Sequence, residues 1–327
     1  MKRITPRGLW EVLKNSFKGF IDDKVLKLSA SLAYYTVFSL APLLIVLLFI
    51  CGKIFGTEAI EGSVYGQIEG FVGSESALQL QEIVKNASIS DKSNVAAVIG
   101  IITLLIGATS VFAEIQDSIN SIWGLKPKPG KGIKLFLKTR LASFGVIGSL
   151  GFLLLVSLGV TAIVEALSNR LKDNFPDVTV VVFYILNILI TFIITSSLFA
   201  VIFKVLPDAK IKYKDVIAGA IATTLLFMLG KFGISFYISK SEVGSTYGAA
   251  GSLVVLLVWI YYSSVILYFG AEFTKAYAMK YGSPIHPNHY AVTTRTVEVE
   301  ECDDTVQQTV KKETKEQAKV DVENEKK

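Results

Sequence analysis

Charge is scarce in this chain of 327 residues, and where it is missing matters more than how much there is. Only 19% of residues are Asp, Glu, Lys or Arg, against roughly a quarter in soluble domains. From Val243 to Ala271 there are 29 consecutive residues without a charge. A helix of that length would extend about 43 Å, against roughly 30 Å of bilayer hydrocarbon. Histidine is almost absent: His286 and His289 are the two in the chain, both beyond the last apolar run, so a His-ligated metal site in the membrane body is excluded. Cysteine is equally sparse. Cys51 ends an apolar run and Cys302 lies in a polar tail; the topology expected below separates them across the membrane, so no disulfide between them is expected. No P-loop and no HExxH motif occurs, and no GxSxG sits in a strand-to-helix context, so ATP-driven transport by this chain alone is unsupported.

What is present is apolar. Hydrophobic residues make up 51% of the chain and the mean hydropathy is +0.51. The first apolar run, 28–52, is too long for the core of a cleaved signal peptide. The expected fold class is therefore all-α: a polytopic membrane protein with six transmembrane helices. The spans are expected at about 31–52, 94–113, 141–164, 179–203, 216–239 and 247–272 within a membrane domain over 29–280. An extracytoplasmic loop covers 53–93, with six acids and three lysines.

Residues 1–28 hold an amphipathic helix in which Leu9, Trp10, Leu13, Phe17 and Phe20 or Ile21 recur at helical spacing, with Lys14 and Lys18 between them. Such a face either seeks the lipid interface or packs on the membrane body. After the second span, Gly124, Pro127 and Pro129 stop the helix that carries Glu114, Asn120 and Trp123. Residues 283–327 are polar, charged and nearly free of aromatics, and are expected to form a disordered cytoplasmic tail. Lys and Arg number 17 in the N-terminal segment and the loops 114–140 and 204–215, against 6 in the alternating set. The positive-inside rule puts both termini in the cytoplasm of a bacterial cell, with the protein multi-pass in its plasma (inner) membrane.

Ionisable groups at membrane depth are the default functional candidates. Lys231 interrupts the fifth span after 15 uncharged residues. It either snorkels to the outer headgroups or binds an anionic group, with Tyr237 and Tyr247 as further substrate-binding candidates. Pro42 kinks the first span. Glu114, Asn120 and Glu272 stand at the cytoplasmic ends of spans two and six as gating or coupling candidates, the alternative for each acid being an interfacial ion pair. No catalytic residue, no metal site and no cofactor is expected.

The stretches SLAYYTVFSLAPLLIVLL and YGAAGSLVVLLVWIYYSSVILYFGAEF resemble the YihY/BrkB family of bacterial membrane proteins, whose older label is ribonuclease BN-like. EIQDSINSIW over 114–123, Leu206-Pro207, Gly219, KFGISFY over 231–237 and Gly270-Ala271-Glu272 add to the resemblance, which covers about residues 10–280. It implies a polytopic inner-membrane protein, with some members linked to transport or envelope lipids, and no agreed active site. A nuclease needs groups that activate water and offset phosphate charge; here the cytoplasmic face is basic, its acids are scattered and the histidines are confined to the tail. The expected function is non-enzymatic transport that moves or admits an amphipathic or lipid-like substrate, with membrane lipids as partners and no nucleic acid. The alternative is a non-transport scaffold that holds an envelope-assembly protein through loop 53–93 or the basic cytoplasmic face. The oligomeric state is not encoded in these patterns.

Overall fold

The computed structural model describes residues 5–39, 110–128, 176–240 and 251–294. These are predominantly helical, and those up to Thr293 belong to one compact unit. In chain order the elements are α1 (Pro6–Asp22), α2 (residues 25–39), α3 (residues 110–122), β1 (Leu125–Pro127), α4 (Pro176–Val205), β2 (Ala209–Lys210), α5 (Tyr213–Lys240), α6 (Gly251–Tyr281), β3 (His286–Pro287) and β4 (Ala291–Thr293). Three stretches among the described residues are long and apolar enough to cross a membrane: Ile188–Val205, Tyr213–Lys231 and Leu256–Tyr281. They fall on the fourth, fifth and sixth expected spans. Of the first two spans, only residues 31–39 and 110–113 are described, and both pieces are helical. The third span, loop 53–93 and Pro42 lie outside the described residues.

α1 begins where its chemistry says it should. Thr5 is extended and its hydroxyl accepts the Gly8 N–H at 3.2 Å, and Pro6 follows with φ already set for a helix. It ends at Asp23, whose N–H returns to the Gly19 carbonyl at 2.8 Å. Lys24 then takes a left-handed φ of 52°, which breaks the helical run and launches α2. At the other end of the sequence scale, Gly124 with φ of 66° terminates α3 as the sequence expects.

Packing follows small residues rather than large ones. α6 lies against both α1 and α5, and α5 against α4. α1 buries Gly8, Val12 and Ser16. Gly8 leaves room for the Tyr281 ring and Gly19 for the Glu272 carboxyl. The apolar stripe of α1 is divided: Trp10 is 68% exposed and Ile21 72%, while the Phe17 and Phe20 rings meet Phe269 of α6 edge-on, at 5.0 and 6.0 Å between centroids. Between α5 and α6 the seam is reciprocal. Gly219 receives Thr274, Gly270 receives Thr223, and Gly230 receives the Tyr262 hydroxyl. Each threonine returns its hydroxyl to its own helix, Thr223 to the Gly219 carbonyl and Thr274 to the Gly270 carbonyl, both at 2.7 Å. No polar group is thereby wasted in a dry contact, the arrangement expected where lipid tails offer helices no hydrophobic gain for associating. The apolar core proper gathers at one end of the helices, around Ile119, Ile122, Phe203, Val216 and Tyr268.

The structure departs from the sequence reading in two places. The sixth helix continues past residue 272 to Tyr281, because Lys275 compensates the charge at Glu272 and the last turns bury Ala278 and Tyr281 against α1 and the connections. Residues 283–294, assigned above to a disordered tail, are ordered here. β4 pairs antiparallel with β1, Leu125 opposite Thr293, and β3 pairs antiparallel with β2, Ala209 opposite Pro287. Backbone pairing with two connections supplies the order that the polar composition does not announce.

A methyl group at the α5–α6 seam tests this packing. Gly270→Ala drives its Cβ into Thr223, and we expect a loss of about 1–3 kcal/mol of stability in detergent unfolding. The double variant Gly270→Ala/Thr223→Ala should recover most of it, and equal losses in single and double variants would show that the seam is not the cause.

Candidate functional site

The end of the helical body that carries the two small sheets holds most of the described buried polar side chains that bond between elements. Two clusters stand there on opposite sides of the last turn of α3. The first is built on Asp208, in the connection from α4 to β2. Its carboxylate accepts from Gln116 Nε2 at 3.0 Å and from Asn120 Nδ2 at 2.9 Å. Its own N–H donates to Asn120 Oδ1 at 2.8 Å, and its carbonyl accepts the Asn288 N–H at 2.9 Å. The Tyr290 hydroxyl adds a third donor to the carboxylate and accepts from Asn288 Nδ2 at 3.2 Å. Asn120 is thus specified at both ends of its amide, one end accepting and the other donating. Burial pushes the Asp208 carboxyl above the usual aspartate range, with the bonds from Asn120, Gln116 and Tyr290 opposing that rise. Burial and the nearby Asp208 charge push the Tyr290 phenol up in turn.

The second cluster joins α6 to the turn between α1 and α2. Lys275 Nζ lies 3.4 Å from Asp23 Oδ2 and 3.8 Å from Glu272 Oε2. It also donates to the Ile122 carbonyl at the end of α3, one of the carbonyls that a helix terminus leaves without an internal donor. One residue on, Trp123 Nε1 donates to the Ala271 carbonyl at 3.1 Å. Glu272 is 2% exposed, and its Oε1 has no hydrogen-bond partner. Nearby, Asp215 in the first turn of α5 accepts the Ser283 N–H at 3.2 Å. Gly282 allows this, since any side chain there would strike the Asp215 carboxyl. On the α4–α5 connection, Lys204 donates to the Ile211 carbonyl and lies 4.4 Å over the Tyr213 ring.

Among the residues singled out from sequence, Asn120 and Glu272 fall within these two clusters. Glu114 stands apart, half-buried, and accepts from Ser118 across one turn at 3.5 Å. Lys231 is exposed on α5, far along the helix from both clusters. Tyr247 lies outside the described residues, as does the Tyr237 side chain. Sequence reasoning passed over Asp23, Gln116, Asp208, Lys275 and Tyr290. Asp208 carried a signal: an acid directly after Leu206-Pro207, between an apolar run and three lysines. Lys275 carried one as well, standing one helical turn after Glu272.

Apolar helices with a polar lock at one end define a helical membrane protein, and comparison with known proteins says which. Residues 16–291 match the family described as Virulence factor BrkB, and the chain belongs to that family. It is 29% identical over 260 residues to the UPF0761 membrane protein VV0203 of Vibrio vulnificus (strain YJ016), covering 78% of each chain. It is 27% identical over 257 residues to the UPF0761 membrane protein PSHAa0171 of Pseudoalteromonas translucida (strain TAC 125), covering 78% of this chain and 81% of the relative. A Bacillus subtilis (strain 168) relative named as the ribonuclease-like protein YfkH is 25% identical over 265 residues, covering 80% of this chain and 92% of its own length. No solved structure matches the chain.

The Asp208 cluster makes a chemical prediction. Asp208→Asn is nearly isosteric but turns an NH2 group against one of two amide donors, and we expect a loss of about 1–3 kcal/mol. Asn120→Asp places a second carboxyl against Asp208. Its deficit should be largest at neutral pH and shrink as pH falls and protonation removes the repulsion. Unfolding of both variants across pH checks this; a pH-independent deficit for Asn120→Asp would contradict the assigned contact.

Proposed function

We propose that this chain is a multi-pass plasma-membrane protein of transport type that moves or admits an amphipathic, anionic lipid-like substrate, and that it is not an enzyme. The observation that carries this reading is Lys231. It ends the apolar stretch Tyr213–Lys231, about 27 Å along α5 from Tyr213 at helical rise. Its side chain is exposed, and it makes no hydrogen bond or ion pair among the described residues. Leu225, Leu226 and Leu229 are exposed on the same helix. An ammonium beside exposed leucines matches a molecule with an anionic head and apolar tails. With both termini in the cytoplasm, Lys231 stands in the outer half of the bilayer, where it meets headgroups of the outer leaflet. Tyr237 and Tyr247 follow it in sequence and complete the substrate-binding set, while Pro42, Glu114, Asn120 and Glu272 serve gating or coupling.

The name of YfkH speaks of ribonuclease-like character for that protein. In this chain the acids are scattered along the sequence and both histidines stand beyond the last apolar helix, His286 in β3, which argues against that chemistry. A scaffold for an envelope-assembly protein is the competing reading, favoured by the exposed lysines 126, 128, 210, 212 and 214 around β1 and β2.

The deciding experiment is lipid flipping by the purified protein in liposomes, with labelled phospholipid bleached from outside. Bleaching well beyond the outer-leaflet half is expected for the native protein. Lys231→Ala should lose it while unfolding normally, and Lys231→Arg should retain part. Bleaching that stops at half in the native protein would sink unassisted phospholipid movement and favour the scaffold.

A further inference from the structure

Glu272 lies within the apolar stretch Leu256–Tyr281, on the face of α6 that meets α1. Its side chain is almost wholly buried, and one of its oxygens, Oε1, has no hydrogen-bond partner. Gly19 of α1 sits so close that a Cβ there would strike the carboxyl. The Asp23 carboxyl, from the turn after α1, stands on the same ammonium: Lys275 Nζ lies 3.4 Å from Asp23 Oδ2 and 3.8 Å from Glu272 Oε2. The groups around the pair are few. From the end of α1 comes Asp22 and from the turn Asp23; from α6 itself comes Lys275, near both carboxylates; from α3 comes the Ile122 carbonyl, which accepts a hydrogen bond from Lys275.

The charges do not balance as they stand. One ammonium faces two carboxylates of the pair, and one of the two, Glu272, is shut away from water. Nor is there a donor between the two acids, because ionised carboxylates only accept hydrogen bonds. A contact between two carboxyl groups is a hydrogen bond only when one of them holds a proton, the arrangement of paired aspartates that share one proton. We propose that Glu272 and Asp23 together form a proton-binding site. One proton bridges the helix α6 and the α1–α2 turn, and Lys275 neutralises the remaining negative charge. Loss of the proton leaves two carboxylates against one ammonium at the point where α1 meets α6. The relief open to the fold is withdrawal of Asp23, and with it the turn. Protonation is thereby tied to the seating of α1. This adds a coupling ion, the proton, to the transport reading without depending on it.

The test needs no substrate. The full-length protein in detergent or nanodiscs is titrated while its infrared spectrum is followed for the carbonyl stretch of a protonated carboxylic acid, confirmed by its shift in D2O. At neutral pH the native protein is expected to show such a band, which disappears as the pH is raised. Glu272→Gln should remove it, Asp23→Asn should shift or remove it, and Glu114→Gln should leave it in place. Should Glu272→Gln fail to fold, Asp23→Asn decides. No band at neutral pH, or a band unaltered in the folded Glu272 or Asp23 variants, would overturn the site. A native protein that moves no lipid but shows the band keeps the proton site and loses the transport reading. One that moves lipid without the band does the reverse.

Discussion

The last turn of α3 is the constraint on which this end of the molecule depends. Within four residues it gives away an amide, a carbonyl and an indole N–H. Asn120 bonds the α4–β2 connection, the Ile122 carbonyl takes Lys275, and Trp123 reaches the main chain of α6. The two isoleucines interleaved with these groups, Ile119 and Ile122, are fully buried, so the bonds of Asn120 and Trp123 form in a place without water to compete, and that of Lys275 at its edge. A hydrogen bond in such a place contributes modestly when made and costs heavily when half-made. The positions of α1, α4 and α6 around α3 are therefore linked, since shifting one leaves buried donors or acceptors of another unmatched.

The rest of the helical body is held differently. Along the α5–α6 seam, glycines on each helix face threonines on the other, and every threonine hydroxyl is returned to its own backbone. Such contacts depend on close approach and set how near two helices come, with little directional bonding across the seam. Ser196 to Thr224, at 3.1 Å, is the bond that crosses from α4 to α5 in this region. The molecule thus pairs a smooth apolar seam with a strongly directional polar end.

What could be read from the sequence follows the same division. Long uncharged runs located α4, α5 and α6, and Gly124 located the end of α3, because helix length and helix stops are local properties. The face by which α1 docks was not legible. Trp10 and Ile21 are exposed, while Gly8, Val12, Ser16 and Gly19 make the close contact, with the Phe17 and Phe20 rings edge-on to Phe269 beside it. Among membrane helices, apolar character does not distinguish a packed face from a lipid-facing one, and small size does. Asp208 was missed because its partners are distant in sequence, Asn120 lying 88 residues before it. The ordered strands after Ser283 were missed because the order comes from backbone pairing, to which side-chain polarity is nearly blind.

Those strands bear on how the protein is made. β3 and β4 come after every described helix, yet they tie connections that precede α4 and α5. During synthesis the helices enter the membrane while β1 and β2 still lack their partners. The two connections stay open until residues 286–293 have left the ribosome. Closure is then a post-insertion event, and a nascent chain halted before that point holds its helices in the bilayer with its polar end untied.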